Sequence, residues 1–139
     1  MKAMLNKIKN RLASGILPAD VRLVFISIAI INLPGALFGG LFFWTILPLP
    51  ALIIYGFVVA LAFGKGSVST ARGISSAAVI YHAILLALLF FQIYETGGFS
   101  SGEVIWARLG VISYIAGPMG LYLLAHRLLK ETNNTESHA

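Results

Sequence analysis

Charged positions cut this chain into long apolar runs. Between Leu23 and Gly64 no charged residue occurs, and a single helix of that length, rising about 1.5 Å per residue, would be about 60 Å long, twice the hydrocarbon core of a bilayer. The run has to cross twice. Its break falls at Pro48-Leu49-Pro50, where two prolines remove two backbone donors and push the residues before them out of the α conformation. Spans are therefore predicted over 22–47 and 49–64. The polar stretch GKGSVSTARG separates them from a third uncharged run, 73–94, which stops at Glu95. A fourth run, 104–129, carries Arg108 near its start and no charge from Leu109 to His126. The pattern predicts an all-α integral membrane protein, a four-transmembrane-helix bundle over 21–130.

The flanks read differently. In residues 1–20, Leu5, Ile8, Leu12 and Ile16 recur at helical spacing among Lys2, Lys7, Lys9 and Arg11, the pattern of a basic amphipathic helix lying in the headgroup region, and Pro18 ends it. The apolar segment that follows starts too late and runs too long for a cleaved signal peptide. At the other end, 131–139 is a polar tail whose composition predicts disorder.

Composition agrees with the pattern. The chain is 58% hydrophobic and 11% charged, against about a quarter charged in soluble domains. Its net charge of +5 needs no nucleic acid to explain it. With four crossings, Lys2, Lys7, Lys9, Arg11, Arg22, Lys65, Arg72, Arg127 and Lys130 fall on one side and only Arg108 on the other. Lysine and arginine in short flanking segments favour the cytoplasmic face, so both termini are expected in the cytoplasm of a cell bounded by a bacterial inner membrane. Trp44, Tyr55, Tyr94 and Trp106 stand where interfacial aromatics belong. There is no cysteine, hence no disulfide or thiolate chemistry.

Small residues mark helix-packing faces. In NLPGALFGG, Asn32, Gly35 and Gly39 share a stripe; the last span carries Gly110, Ser113, Gly117 and Gly120 within a quadrant, and the second adds Gly56. Lipid tails are as apolar as leucine, so helices in a bilayer associate by close packing, which small side chains permit. These stripes predict close pairing of the first and last spans, or equally docking of a second copy or of another membrane protein. Pro34 and Pro118 lie near mid-span and predict kinks, each freeing a carbonyl one turn back that Asn32 could help to satisfy at the first.

Groups able to do chemistry are few. His82 stands out, because an ionisable residue inside a span carries a cost that must be compensated; as a neutral imidazole it could bind haem or a quinone. His126 is the available second ligand, but the wheel puts it opposite the small-residue stripe with Met119 and Tyr122, facing headgroups. Ser27, Ser75, Ser76 and Ser113 have no histidine at a telling spacing, and no paired-carboxylate or metal motif occurs. Glu95 and Arg108 end the two arms of one hairpin and are placed to pair.

The segment LPGALFGGLFFW resembles the Pro-Gly-rich first half of the small, four-spanning holin-like proteins. The resemblance covers that segment alone, since those proteins carry charge between their first spans where this chain has LPLP. Surfaces for helix contact outnumber chemical groups, so the expected role is that of an accessory, assembly or stabilising subunit without a cofactor. A small oligomeric transporter or pore, and a haem- or quinone-binding anchor using His82, are the alternatives.

Overall fold

The computed structural model describes residues 2–3, 17–42, 48–98 and 102–137, within which the side chains of 35–42, 48, 102–104, 133 and 135–137 are not described. Among these residues the ordered elements are helical: α1 (Ala19–Phe42), α2 (Pro48–Ala62), α3 (Val68–Glu95) and α4 (Gly102–Ser137). The amphipathic helix expected over 1–20 lies outside the described residues apart from a helical Lys2 and Ala3.

Helix ends follow local chemistry. The helix α2 opens on Pro48, with Pro50 also in its first turn, where the missing N–H groups would have lacked intrahelical partners anyway. It closes in a Schellman motif: Gly64 adopts φ +77°, its N–H meets the Leu61 carbonyl at 3.0 Å and the Lys65 N–H meets that of Ala60 at 2.8 Å. The same device ends α3, with Gly97 at φ +91° and the Gly98 N–H on the Ile93 carbonyl at 2.8 Å. Ser67 caps the start of α3, its Oγ accepting from the Thr70 N–H at 3.1 Å. As a result α3 begins five residues earlier than the apolar run that announces it, at Val68 instead of Gly73. A larger departure is the polar tail, which continues α4 to Ser137 instead of being disordered. Thr132 Oγ1 donates to the Leu128 carbonyl there at 2.7 Å and Arg127 faces Glu131 one turn on at 4.0 Å.

Neighbouring helices run antiparallel. Arg22 at the start of α1 reaches Ala62 at the end of α2, and Arg72 near the start of α3 reaches Leu129 late in α4. Packing is heaviest within the pairs α1–α2 and α3–α4; α1–α4 and then α2–α3 join the pairs, so the first and last helices do pack together and the α2–α3 side is the thinnest. The core collects at one end of this arrangement. Val21, Phe25 and Ile28 of α1, Val58 and Leu61 of α2, Ala71 and Ala78 of α3, and Tyr122, Ala125 and Leu129 of α4 are buried in one cluster.

Most remaining apolar surface faces outward, including Leu23, Ile30, Phe63, Phe91 and Leu123. Two helical segments, Val68–Glu95 and Ile105–Thr132, are long and apolar enough to cross a membrane, whereas the apolar helix over Leu49–Ala62 is shorter. Only 11% and 17% of those two segments' apolar windows is buried within the chain. A core helix of a water-soluble domain would be mostly buried, so their apolar faces are turned toward something outside the chain.

Candidate functional site

The seam between α3 and α4 gathers the polar groups of the interior. One stripe of α3, Ala71, Ser75 and Ala78, is fully buried, and these small side chains let α3 lie close to its neighbours, as glycine stripes were expected to do. Arg72 Nη2 donates to the Leu129 carbonyl at 3.5 Å. One turn further in, Ser76 Oγ and His126 Nδ1 lie 3.3 Å apart. Deeper still, the His82 ring rests against Tyr122, their centroids 5.5 Å apart with the rings tilted by 48°, and Tyr81 meets His82 edge-on at 5.7 Å.

His126 therefore does not face headgroups. The face of α4 opposite the small-residue stripe is its packed face: Pro118, Tyr122, Ala125 and Leu129 are buried on it, and His126 is half-buried beside Ser76. A serine and a histidine fifty residues apart meet here, a contact that chain spacing could not announce. His82 and His126 engage different partners at different levels of the seam, His82 against Tyr122 and His126 against Ser76.

The protonation pattern of His82 follows from its backbone contact. Nδ1 lies 2.7 Å from the Ala78 carbonyl, which can only accept, so Nδ1 carries the proton and Nε2 presents a lone pair. Among the described residues no hydrogen bond reaches Nε2 or the Tyr122 hydroxyl, and neither belongs with the buried polar atoms that lack a partner. Tyr55 of α2 stands within electrostatic reach of Tyr122 and donates its hydroxyl to the Ala29 carbonyl of α1 at 3.1 Å. It braces two helices from the inside, and is not the interfacial aromatic its position suggested. Ser75 Oγ is fully buried and has no partner among the described residues.

The residues expected to pack fall into two groups. Among the described residues, nothing beyond chain neighbours and the helix's own backbone comes within 4 Å of where a Cβ would stand on Gly56, Gly110, Gly117 or Gly120, and Ser113 is exposed with them. The pairing of α1 with α4 is thus made by other residues, and the glycine stripe of α4 lies on the outside. Asn32 is half-buried and Nδ2 donates to the Ile28 carbonyl at 2.9 Å, not to the Ile30 carbonyl that Pro34 leaves without its donor. Gly35 and Gly39 lie outside the residues whose side-chain surroundings are described. Both Pro34 and Pro118 sit inside helices that continue without interruption.

Charge separates by end. Arg22, Lys65, Arg72, Arg127 and Lys130 gather where α1 and α3 begin and α2 and α4 end. Arg108 lies at the opposite end, where Nη2 donates to Thr96 Oγ1 at 2.9 Å. Among the described residues no ion pair joins Arg108 to Glu95. Thr96 Oγ1 in turn donates to the Gln92 carbonyl at 2.8 Å, so the arginine closes the hairpin through the cap of α3. The sequence signal for this was the Thr-Gly-Gly that follows Glu95. Searches among known proteins find no matching family model, no matching curated protein and no matching solved structure.

Proposed function

We propose that this chain is a four-span protein of a bacterial inner membrane, with both termini in the cytoplasm, and that it serves as an accessory or assembly subunit. It binds another membrane protein, or further copies of itself, through helix faces. The observation that carries this reading is the outer face of α4. Gly110, Gly117 and Gly120 present open backbone there, on a helix whose opposite face is already committed to the chain's own core. In a bilayer such a face gains little against lipid and gains dispersion contacts and close backbone approach against another helix. The exposed apolar sides of α3 and α4 support the membrane part of the reading, and the gathering of cations at one end supports the orientation.

The test separates packing inside the chain from packing outside it. Gly117→Leu and Gly120→Leu introduce side chains into open space, so the isolated protein should keep its thermal midpoint in detergent. Extraction in mild detergent should recover the unaltered protein in a stoichiometric assembly and the double variant as a monomer. A monomeric unaltered protein, or an assembly indifferent to both leucines, would remove the reading.

A further inference from the structure

We propose that the corner where α1 begins and α2 ends, formed by Arg22, Leu23, Phe63 and Lys65, binds the phosphate headgroup of an anionic phospholipid. The inference rests on the membrane reading above, which puts this end at the cytoplasmic leaflet, where anionic lipids give the surface its negative potential.

Short contacts hold the corner together. Arg22 Nε donates to the Ala62 carbonyl at 2.9 Å, and Arg22 Cζ lies 3.3 Å from where a Cβ would stand on Gly64. The guanidinium thus rests on the turn that closes α2, with Phe63 and Lys65 on either side of that glycine in the chain. The turn itself is fixed by Gly64 at φ +77° and by the Lys65 N–H on the Ala60 carbonyl at 2.8 Å. Arg22 and Lys65 are both exposed. With Nε committed, Arg22 keeps the N–H groups of its two Nη atoms for a ligand, a fork suited to two phosphate oxygens. Because the Ala62 bond and the Gly64 contact already orient the group, little side-chain freedom is lost when a phosphate meets it. Among the described residues no carboxylate forms an ion pair with Arg22 or Lys65: Asp20 lies in the first turn of α1 without one, and Glu131 faces Arg127 on α4.

Charge alone would suit any phosphate. The apolar surface beside each cation selects a lipid. Leu23 follows Arg22 and is 63% exposed, and Phe63 stands two residues before Lys65 and is 74% exposed. The chain enters the apolar run along α1 and leaves it along α2, so both apolar side chains lie on the bilayer side of their cations. A lipid whose phosphate meets Arg22 and Lys65 lays its acyl chains along Leu23 and Phe63, whereas a phosphate arriving from water leaves them bare.

Native mass spectrometry of the full chain in a neutral detergent, supplied with equimolar dioleoylphosphatidylglycerol and dioleoylphosphatidylcholine, reads the site directly. The unaltered protein should retain the anionic lipid at least about tenfold over the zwitterionic one, as two cations near a headgroup imply. Arg22→Gln with Lys65→Gln should bring that ratio close to one. Arg127→Gln with Lys130→Gln removes the same charge from the same end and should leave the ratio near its original value. Lys65→Gln alone keeps the Arg22 bond to Ala62 and should cost about fivefold, so the site is tested even where the Arg22 variant misfolds. A millimolar excess of sn-glycerol 1-phosphate should not displace the lipid. No preference in the unaltered protein, equal losses from the two charge pairs, or displacement by the water-soluble phosphate would each overturn the proposal. Release of the chain from membranes by alkaline carbonate would overturn the membrane reading itself, and retention there without lipid preference would overturn the site alone.

Discussion

Arg22 Nε donates to the Ala62 carbonyl at 2.9 Å, tying the first turn of α1 to the last residue of α2. The two residues are forty apart in sequence. The carbonyl is one of those a helix C-terminus leaves without an intrahelical partner, and it sits at the negative end of the α2 dipole, so the guanidinium satisfies a hydrogen bond and a field together.

Replacing Arg22 by alanine should therefore loosen the α1–α2 pair. A charge-assisted contact of this kind at an accessible helix end is worth about 1 kcal/mol, so the expected loss in thermal midpoint is a few degrees, shrinking with added salt. Gly64→Ala should cost a further comparable amount by another route, since φ is +77° and an added Cβ would stand 3.3 Å from Arg22 Cζ. Thermal unfolding of both variants, in low and high salt, checks the pair. Salt sensitivity equal to that of the unaltered protein in Arg22→Ala would disprove the electrostatic part.

The location of the core gives a second expectation. Phe25 is fully buried, whereas Leu23, two residues away on the same helix, is 63% exposed. Phe25→Ala opens a cavity in the cluster that all four helices share and should cost about 3 kcal/mol or more. Leu23→Ala should cost well under about 1 kcal/mol, because an exposed side chain gives up few contacts within the chain. Comparable losses at the two sites would mean that α1 is rotated relative to this structure.

What the chain disclosed in advance was whatever lay in local chemistry. Charge-free runs located the four helices, and Pro48 and Pro50 marked the break between the first two, because proline acts through backbone constraints that no tertiary context alters. The start of α3 was missed because hydropathy ignores Ser67, whose capping role is a matter of one hydrogen bond. The facing of α4 was left open. Its glycines were read as serving either the pairing with the first span or a partner outside the chain; Pro118, Tyr122, Ala125 and Leu129 are the buried ones, and in a nearly uniformly apolar helix the side that packs is decided by the shapes of the partners. Ser76 meeting His126, and Tyr55 meeting Ala29, depend on that choice of face and on pairing between distant segments, neither of which leaves a local trace.

Ser75 offers a sharp test of the interior. Its Oγ is fully buried with no partner among the described residues, so removing the hydroxyl relieves an unsatisfied polar group while leaving a side chain of nearly the same size. Ser75→Ala should raise stability by about 1 kcal/mol, read as a higher thermal midpoint in detergent. A lower midpoint would show that the hydroxyl has a partner in the folded protein, such as a bridging water.

The distribution of charge makes the last prediction. Arg22 and Arg72 are fixed by their contacts to the end where α2 and α4 terminate, and Lys65, Arg127 and Lys130 belong to the same end by their places on α2's cap and late α4. Arg108, on Thr96, is held at the other. During insertion the loops richer in lysine and arginine are retained in the cytoplasm, and under the proposed topology four crossings return the chain to the side on which it started. Reporter fusions after Thr70 and after Ala139 should therefore report cytoplasm, and one within 97–101 should report the periplasm. Moving the balance should move the protein: Lys65→Glu combined with Arg72→Glu, which places two acidic residues in the turn that the proposed topology puts inside, should yield a mixed topology in which the fusion within 97–101 loses part of its periplasmic signal. A C-terminus reported as periplasmic in the unaltered chain would refute four crossings, whatever the charges do.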